Sequence, residues 1–230
     1  MQNLDKYFYL SQRLWINDES PLKIAVKSRQ IGFSYANSFR LVLLVSAAAA
    51  RLDAYISSRD QQQARLQLED CLRWAQLLQR GASQLGQLVF DADSGSSAFT
   101  LEFANGRRIY SLSSNPNALA GKRGHVTLDE FALHTDQRLL YRVAKPVTTW
   151  GGQLSIISTH RGHHSVFNEI LRSITEANNP MGWSLHSVPI QKAVAEGIVD
   201  RINKKTGRHE SPESFLARLR AECLDEEQWL

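Results

Sequence analysis

The chain has 230 residues, of which 43% are hydrophobic, and this is enough for one sizeable α/β domain with or without a helical appendage. Its formal net charge of +4 permits nucleic-acid binding without demanding it, and Cys71 and Cys223 lack metal-site spacing, which favours a reduced protein over a disulfide scaffold. The longest apolar run, residues 41–50, is too short to span a bilayer, and the N-terminus does not resemble a secretory signal, so we expect a soluble cytoplasmic protein.

The first predicted strand and helix enclose a polar loop. Residues 22–26 form an apolar run typical of a strand, and residues 34–50 are rich in helix formers. Between them lies KSRQIGFS, residues 27–34, in which a glycine comes shortly before a hydroxyl residue that opens the helix. This is the order of a phosphate-binding loop, in which amide N–H groups and the positive end of the helix dipole face the anion.

Compared with the template G-x-x-x-x-G-K-[ST], this loop has lost one cation and gained another. Lys27 replaces the first glycine, Gly32 is the second, Phe33 replaces the lysine, and Ser34 keeps the hydroxyl that would meet Mg²⁺. Because such a loop brings its ends together, the long side chain of Lys27 can place its ammonium near the β- and γ-phosphates. Arg29 is a second possible phosphate ligand. The alternative interpretation is an ordinary polar turn that Gly32 eases.

The next elements continue a βαβ pattern. Residues 53–58 are typical of a strand, and residues 60–81 are typical of a helix. The apolar residues of this helix recur at helical spacing and are Ala64, Leu68, Cys71, Leu72, Ala75 and Leu78.

Asn105-Gly106 marks a hairpin. It separates two strand patterns, residues 98–103 and 107–113, and therefore predicts an antiparallel addition to a parallel sheet. Further strands are predicted over residues 125–130, 152–159 and 183–190. Strands that alternate with helices indicate an open α/β sheet.

Two predicted strands end in polar residues, at the carboxyl ends where such sheets bind ligands. Asp129 could hold a Mg²⁺-bound water while Glu130 orients and deprotonates the attacking water. Ser158 and Thr159 could sense the γ-phosphate and transmit its loss. The alternatives are a solvated turn for the two acids and an ordinary strand end for the two hydroxyls.

The motifs KSRQIGFS, HVTLDEFA and SIISTHRG, in this order, resemble the deviant Walker A, Walker B and coupling motifs of the large terminase subunit of tailed bacteriophages. This subunit is the ATPase motor that packages the viral genome into the procapsid. The Mu-like group is most similar, and lambda-like enzymes share a loop that starts with lysine and carries an aromatic residue before the serine. The resemblance covers essentially the whole chain. It implies a P-loop NTPase of the RecA/ASCE type, with a mostly parallel sheet flanked by helices and an antiparallel hairpin added.

The resemblance also implies ligands and partners. The ligands are ATP and Mg²⁺. The partners are double-stranded DNA, further copies of the chain in a ring on the procapsid portal, the portal protein and the small terminase subunit, with no membrane. The motor would work in the bacterial cytoplasm and transiently on the procapsid.

Residue roles follow from the same resemblance, with Lys27 as the displaced Walker A lysine. The implied nucleotide-binding residues are Gln12, Lys27, Ser28, Arg29, Gln30, Ile31, Gly32, Phe33, Ser34, Ser158 and Thr159. Ser34 and Asp129 would hold the metal, and Glu130 would be catalytic.

Two of these roles have open alternatives. Gln12, in YLSQRLW, could pair its amide with the adenine edge, or it could be a solvated surface residue. Arg123, next to Lys122, could act as a catalytic arginine finger in the neighbouring subunit's site. The alternative is that Lys122 and Arg123 form a solvated or DNA-facing loop.

Two departures from the family pattern leave other functions open. Phe33 leaves no second cation in the usual place, so a non-catalytic nucleotide- or DNA-binding module is one alternative; a helicase-like translocase is less favoured because a second RecA-like domain is missing. Family enzymes continue into an RNase H-like nuclease. We therefore expect an ATPase domain over residues 1–210, and over residues 211–230, with Ser211 as cap and Pro212 in first position, the start of a helical linker toward an absent nuclease domain.

The histidines invite a metal interpretation, which the spacing disfavours. His163 and His164 are adjacent, and on a helix they would point in different directions. We expect these residues and His160 to be surface or phosphate-proximal.

Overall fold

The elements follow the strand and helix alternation of the sequence. The structure, a computed structural model, describes residues 4–80, 82–91, 96–112, 115–162 and 164–223. Within these ranges the strands are β1 (Leu22–Lys27), β2 (Asp53–Ser57), β3 (Ala82–Asp91), β4 (Ser96–Phe103), β5 (Arg108–Leu112), β6 (Gly124–Asp129), β7 (Leu154–Ser158) and β8 (Ser184–Val188). The α-helices are α1 (Leu10–Asn17), α2 (Phe33–Ser46), α3 (Gln61–Leu77), α4 (Gln137–Val147), α5 (Val166–Thr175), α6 (Ile190–Ala195), α7 (Ile198–Thr206) and α8 (Pro212–Glu222). Short 3-10 helices cover Leu4–Lys6, Pro116–Leu119 and Phe131–Leu133.

The strands form one sheet in the order β3-β4-β5-β2-β6-β7-β1-β8. From β5 to β8, each neighbouring pair is parallel, which confirms the predicted α/β sheet. All five residues of β7 are buried, as expected for a parallel strand that helices cover on both faces. Asp129, the last residue of β6, is paired with Ile157, and Val26 of β1 with Ser158. The ends of these three strands therefore lie side by side.

The predicted hairpin is confirmed. β4 and β5 are antiparallel, and in the turn the Gly106 N–H donates to the Phe103 carbonyl at 2.9 Å. Gly106 has a φ of +75°, a conformation that glycine adopts without strain. β3 adds an antiparallel edge strand that the sequence analysis did not assign. Its register against β4 shifts twice, and such shifts interrupt the alternation by which a strand is recognised.

Helix α2 is shorter than predicted, because it ends at Ser46 and not at residue 50. Ala47 is extended, and the Asn105 side-chain amide donates to the carbonyls of Val45 and Ala47 at 2.8 and 2.9 Å. A residue of the hairpin turn thus caps the helix end. This tertiary contact outweighs the helix propensity of the alanines that follow.

Helices cover both faces of the sheet. Ile156 packs with Leu140 of α4 and Phe167 of α5. The next residue of β7, Ile157, faces the opposite side and lies in a cluster with Trp15 of α1. A third cluster joins α2 and α3 to β2 and the hairpin.

The C-terminal helix starts as the sequence predicts. Ser211 caps α8, and its hydroxyl accepts the Ser214 N–H at 3.2 Å. Phe215 of α8 is buried in the cluster that includes α1. Residues 224–230, part of the predicted linker, lie outside the described residues. In the described part of the chain, no helix combines the length and apolar character that crossing a membrane requires.

Candidate active site

The candidate site lies where β1, β6 and β7 end. Lys27 is the last residue of β1, Asp129 is the last residue of β6, and Ser158 is the last residue of β7. Neighbouring parallel strands present their carboxyl ends at one edge of the sheet, which is where ligands bind in this class of fold. The three sequence motifs therefore meet at one place.

The loop after β1 has the backbone of a tight turn into a helix. Gln30 and Gly32 have φ values of +55° and +71°, in the left-handed region. A side chain at Gly32 would place its Cβ 3.0 Å from the Gln12 amide nitrogen, so the loop needs glycine both for its φ and for this contact. Ser28 is half-buried, and Arg29 is exposed and free to approach an anion from solvent.

Two predicted loop residues turn their side chains into the core. Phe33 is 2% exposed, and its ring lies 5.3 Å from that of Trp15. Ile31 is 4% exposed. These residues can offer an anion only their backbone N–H groups.

Lys27 and Glu130 form an ion pair across the site. The Lys27 ammonium donates to Glu130 Oε1 at 2.5 Å, with the lysine side chain 5% and the glutamate side chain 30% exposed. Glu130 is held with a φ of +49°, an uncommon value for a residue other than glycine and one that is often found at functional sites. The cation gained at position 27 thus faces the acid predicted to be catalytic.

Ser34 and Asp129 form the second contact between the loop and β6. The Ser34 hydroxyl donates to Asp129 Oδ1 at 3.0 Å. Burial, with a further contribution from neighbouring Glu130, raises the pKa of Asp129 to about 6. Because Asp129 is 6% exposed, the solvated-turn alternative is wrong for this residue.

The donor set of this contact fits Mg²⁺. One carboxylate oxygen and one hydroxyl oxygen lie within hydrogen-bond distance of each other beside the phosphate loop. Mg²⁺ prefers hard oxygen ligands and is usually bound by one or two carboxylates together with substrate phosphates. Ser34 and Asp129 could therefore hold the ion of a Mg²⁺–nucleotide complex.

Gln12 is buried against the loop, so the alternative of a solvated surface glutamine is wrong. Its side chain is 4% exposed, and its Nε2 donates to the carbonyls of Ile31 and Gly32, both at 3.0 Å. Its Oε1 accepts the Tyr9 N–H at 2.9 Å. Gln12 thus connects α1 to the loop that follows β1.

The two hydroxyls predicted to sense the nucleotide differ in their surroundings. Ser158 is fully buried, and its Oγ accepts the N–H of Ala132 at 3.0 Å. This bond links the end of β7 to the segment that follows Glu130. Thr159 is half-buried.

Arg123 lies away from these residues. It precedes β6, at the opposite end of the strand from Glu130, a separation of about 20 Å at the usual rise per residue. Its side chain is exposed, and its guanidinium lies 5.2 Å from the centre of the Trp150 ring, which is 69% exposed. Arg123 cannot reach the candidate site of its own chain.

The histidines are only partly described. His163 lies outside the described residues, and His160 is exposed, with its ring 6.2 Å from that of Phe167. In the ranges that the structure covers, no group of three or more His, Cys, Asp or Glu side chains is placed to hold a metal ion.

Sequence analysis missed two residues that contact Asp129. Gln67 of α3 donates its amide to Asp129 Oδ2 at 2.6 Å, and His134 Nε2 lies 3.1 Å from the Asp129 carbonyl oxygen. Gln67 could have been found, because it is a polar residue between Ala64 and Leu68 on the apolar face of α3. His134 carries no comparable sequence pattern.

The sequence is similar to that of phage terminase subunits. Residues 24–227 match the profile of the family described as "Terminase large subunit, T4likevirus-type, N-terminal". The chain is 32% identical over 209 residues to the Mu-like prophage FluMu protein gp28 of Haemophilus influenzae, covering 90% of this chain and 41% of that protein. It is also 32% identical over 214 residues to the probable terminase large subunit gp28 of Escherichia phage Mu, covering 90% and 38%. The chain thus spans about two fifths of these relatives.

Solved structures share the fold. The large terminase of a thermophilic bacteriophage, in complex with ADP, superposes with a TM-score of 0.63 at 14% identity, covering 85% of this chain and 49% of that one. The large terminase ATPase domain of Thermus phage P74-26 superposes with a TM-score of 0.60 at 15% identity, covering 96% and 90%. These likenesses confirm the predicted fold class.

Proposed function

This chain belongs to the phage terminase large-subunit family, and from that membership we propose that it is the ATP-hydrolysing motor domain of a DNA-packaging terminase. The observation that carries the proposal is that Lys27 pairs with Glu130, and Ser34 with Asp129, at the carboxyl ends of β1 and β6. These four side chains supply a cation, a hydroxyl and two acids beside one phosphate loop. The related large terminase of the thermophilic bacteriophage, whose structure contains ADP, supports a nucleotide as the ligand.

The chain's own residues would divide the work of ATP hydrolysis. Lys27, Arg29 and the loop N–H groups would bind the phosphates, and Ser34 and Asp129 would hold Mg²⁺. When bound, the ion would neutralise charge that develops on the phosphoryl group. Glu130 would orient the attacking water and accept its proton.

The Lys27–Glu130 pair suggests an order for these events. The Lys27 ammonium donates to the carboxylate that should act as the base. Phosphate oxygens compete for the same N–H donors. Binding of ATP would therefore draw Lys27 away and leave Glu130 free to accept a proton from water.

The remaining predicted residues take supporting roles in this proposal. Gln12 would recognise adenine by exchanging one of its loop contacts for the base. Ser158 and Thr159 would transmit hydrolysis from the γ-phosphate to the rest of the domain. Arg123 is exposed and too far from the site of its own chain to contact it. As an arginine finger it would therefore act in the site of a neighbouring subunit.

The proposed partners extend beyond the domain. They are double-stranded DNA, further copies of the chain in a ring, the portal protein and the small terminase subunit, in the cytoplasm of the host and on the procapsid. Residues 1–210 would form the ATPase domain, and α8 would lead toward a nuclease domain. The curated relatives are more than twice as long as this chain, which leaves room for such a domain in them.

The test is steady-state MgATP hydrolysis at high protein concentration with double-stranded DNA. We expect activity in the wild type and a loss of about 100-fold or more in Glu130→Gln, because the variant keeps the shape but lacks the base. Glu176→Gln, an exposed glutamate at the end of α5, is the matched control.

Arg123→Ala should lose activity without losing ATP affinity. Wild-type activity that Glu130→Gln retains would contradict the assignment. ATP binding with no wild-type hydrolysis would leave two interpretations, a domain that needs a neighbouring subunit for its arginine finger and the non-catalytic nucleotide-binding alternative.

A further inference from the structure

Asp129 is held from two sides by different parts of the chain. Its Oδ1 accepts the hydroxyl of Ser34, from the phosphate loop. Its Oδ2 accepts the amide of Gln67, from α3, at 2.6 Å. Gln67 in turn accepts the hydroxyl of Ser58 on its Oε1 at 2.7 Å. These hydrogen bonds thus connect Ser58, which follows β2, through Gln67 of α3 to the carboxylate of Asp129.

This chain of hydrogen bonds is buried. Ser58 is 1%, Gln67 is 5% and Asp129 is 6% exposed. Gln67 occupies a position on the face of α3 that otherwise packs Ala64, Leu68 and Cys71 into the core. An apolar residue is the default at such a position, because a buried amide is costly unless it is hydrogen-bonded. Here both ends of the amide have partners.

The donor and acceptor roles along this series of hydrogen bonds allow only one placement of the amide nitrogen and oxygen of Gln67. An ionised carboxylate only accepts hydrogen bonds, so the group facing Asp129 must be the NH₂. The amide oxygen then faces Ser58, whose hydroxyl donates to it. Ser58 is itself positioned by its backbone N–H, which donates to the Leu112 carbonyl of β5 at 3.0 Å. Asp129 Oδ2 is therefore connected to the body of the sheet through Gln67 and Ser58.

We propose that Gln67 is a positioning residue that orients Asp129 for Mg²⁺ binding, an inference that rests on the proposed function. Ser34 and Gln67 approach different oxygens of Asp129. The Ser34 contact lies on the phosphate side and would rearrange when a metal ion enters. The Gln67 contact lies on the α3 side, so it can persist and keep the carboxylate in one orientation in both states.

The test is the Mg²⁺ dependence of nucleotide affinity in Gln67→Met, which keeps the volume and loses both hydrogen bonds. The fluorescent analogue mant-ATP is titrated in EDTA and over a series of MgCl₂ concentrations. We expect Gln67→Met to bind mant-ATP in EDTA as the wild type does. Mg²⁺ should increase the affinity for mant-ATP, and the Mg²⁺ concentration that gives half of this increase should be about tenfold higher in the variant. Ser58→Ala removes the hydrogen bond to Gln67 Oε1 and should raise the half-saturating Mg²⁺ concentration by a smaller factor. The matched control is Gln63→Met, an exposed glutamine on the same helix.

The outcomes separate this inference from the proposed function. If the wild type binds mant-ATP with no Mg²⁺ dependence, the proposed function fails and the role of Gln67 fails with it. If the wild type depends on Mg²⁺ and Gln67→Met has the same half-saturating concentration, only the role of Gln67 is overturned. An equal loss of affinity in EDTA and in MgCl₂, with a lower melting temperature, would show that Gln67 serves packing alone. Should Gln67→Met not fold, an unshifted Ser58→Ala would overturn the inference.

Discussion

In the proposed site, Lys27 takes the role that the standard phosphate loop gives to a lysine at the position of Phe33. Phe33 stands where the template has its lysine, yet its ring packs against Trp15 and is 2% exposed. Lys27 stands where the template has a glycine, and its ammonium donates to Glu130. The proposed site thus keeps a cation, while the side chain of Phe33, the first residue of α2, packs in the core.

The burial of position 33 predicts that a lysine restored there will not replace Lys27. Phe33→Lys places an ammonium in an apolar pocket, and we expect the free energy of unfolding to fall by about 3 kcal/mol or more. The double variant Lys27→Ala/Phe33→Lys should bind ATP as weakly as Lys27→Ala alone. Urea denaturation and ATP titration measure the two effects.

The control for this prediction is an exposed apolar residue close by. Leu14 on α1 is 52% exposed, so Leu14→Lys should leave the free energy of unfolding nearly unchanged. If the double variant regained wild-type affinity, the side chain at position 33 would have to reach the phosphates, and the prediction from its burial would be wrong.

At the scale of elements, the two ends of the parallel strands have different roles. The carboxyl ends of β1, β6 and β7 carry the candidate site, while the start of β6 is packed tightly against the segment before β7. A Cβ on Gly152 would lie 1.9 Å from the Gly124 carbonyl oxygen. Next to this contact, the Gln153 N–H donates to His125 Nδ1 at 3.2 Å. This bond requires the neutral form of the His125 ring.

That bond predicts a loss of stability in mild acid. Burial, together with the nearby charges of Arg40 and Lys23, lowers the pKa of His125 from 6.5 to about 4. Between these values the unfolded chain binds more protons than the folded chain, so this contribution to stability is lost as the pH falls from about 6.5 to about 4. In His125→Asn, Oδ1 can accept the same N–H without titrating, and the loss between pH 7 and 4.5 should be smaller. Urea denaturation of the wild type and of His125→Asn between pH 7 and 4.5 measures this loss of stability. Identical pH profiles for the two proteins would contradict the role of His125.

At the scale of the whole molecule, the sequence predicts the strand ends better than the contacts between them. Parallel strands must present their carboxyl ends together, so the motifs at 27–34, 129–130 and 158–159 could be placed at one edge in advance. The pairing of Lys27 with Glu130, 103 residues apart in sequence, depends on side-chain directions that periodicity does not describe.

Other features were beyond sequence analysis, each for a specific physical reason. Gln67 stands out as a polar residue on the apolar face of α3, but its partner Asp129 lies on a strand 62 residues later, so its sequence neighbours do not reveal its role. The end of α2 depends on Asn105 in a distant turn. β3 has an irregular register, and its pattern is correspondingly weak. In each case a tertiary contact decides what local sequence leaves open.

The measurement that tests the central claim most directly is the affinity of Lys27→Ala for MgATP. If Lys27 is the displaced phosphate lysine, the loss of its charged hydrogen bond should cost about 1.5–3 kcal/mol, or roughly 10- to 150-fold in affinity. Lys204→Ala, an exposed lysine on α7, should bind like the wild type. A Lys27→Ala affinity within about twofold of the wild type, with the fold intact, would show that the charge was lost from this loop and not moved.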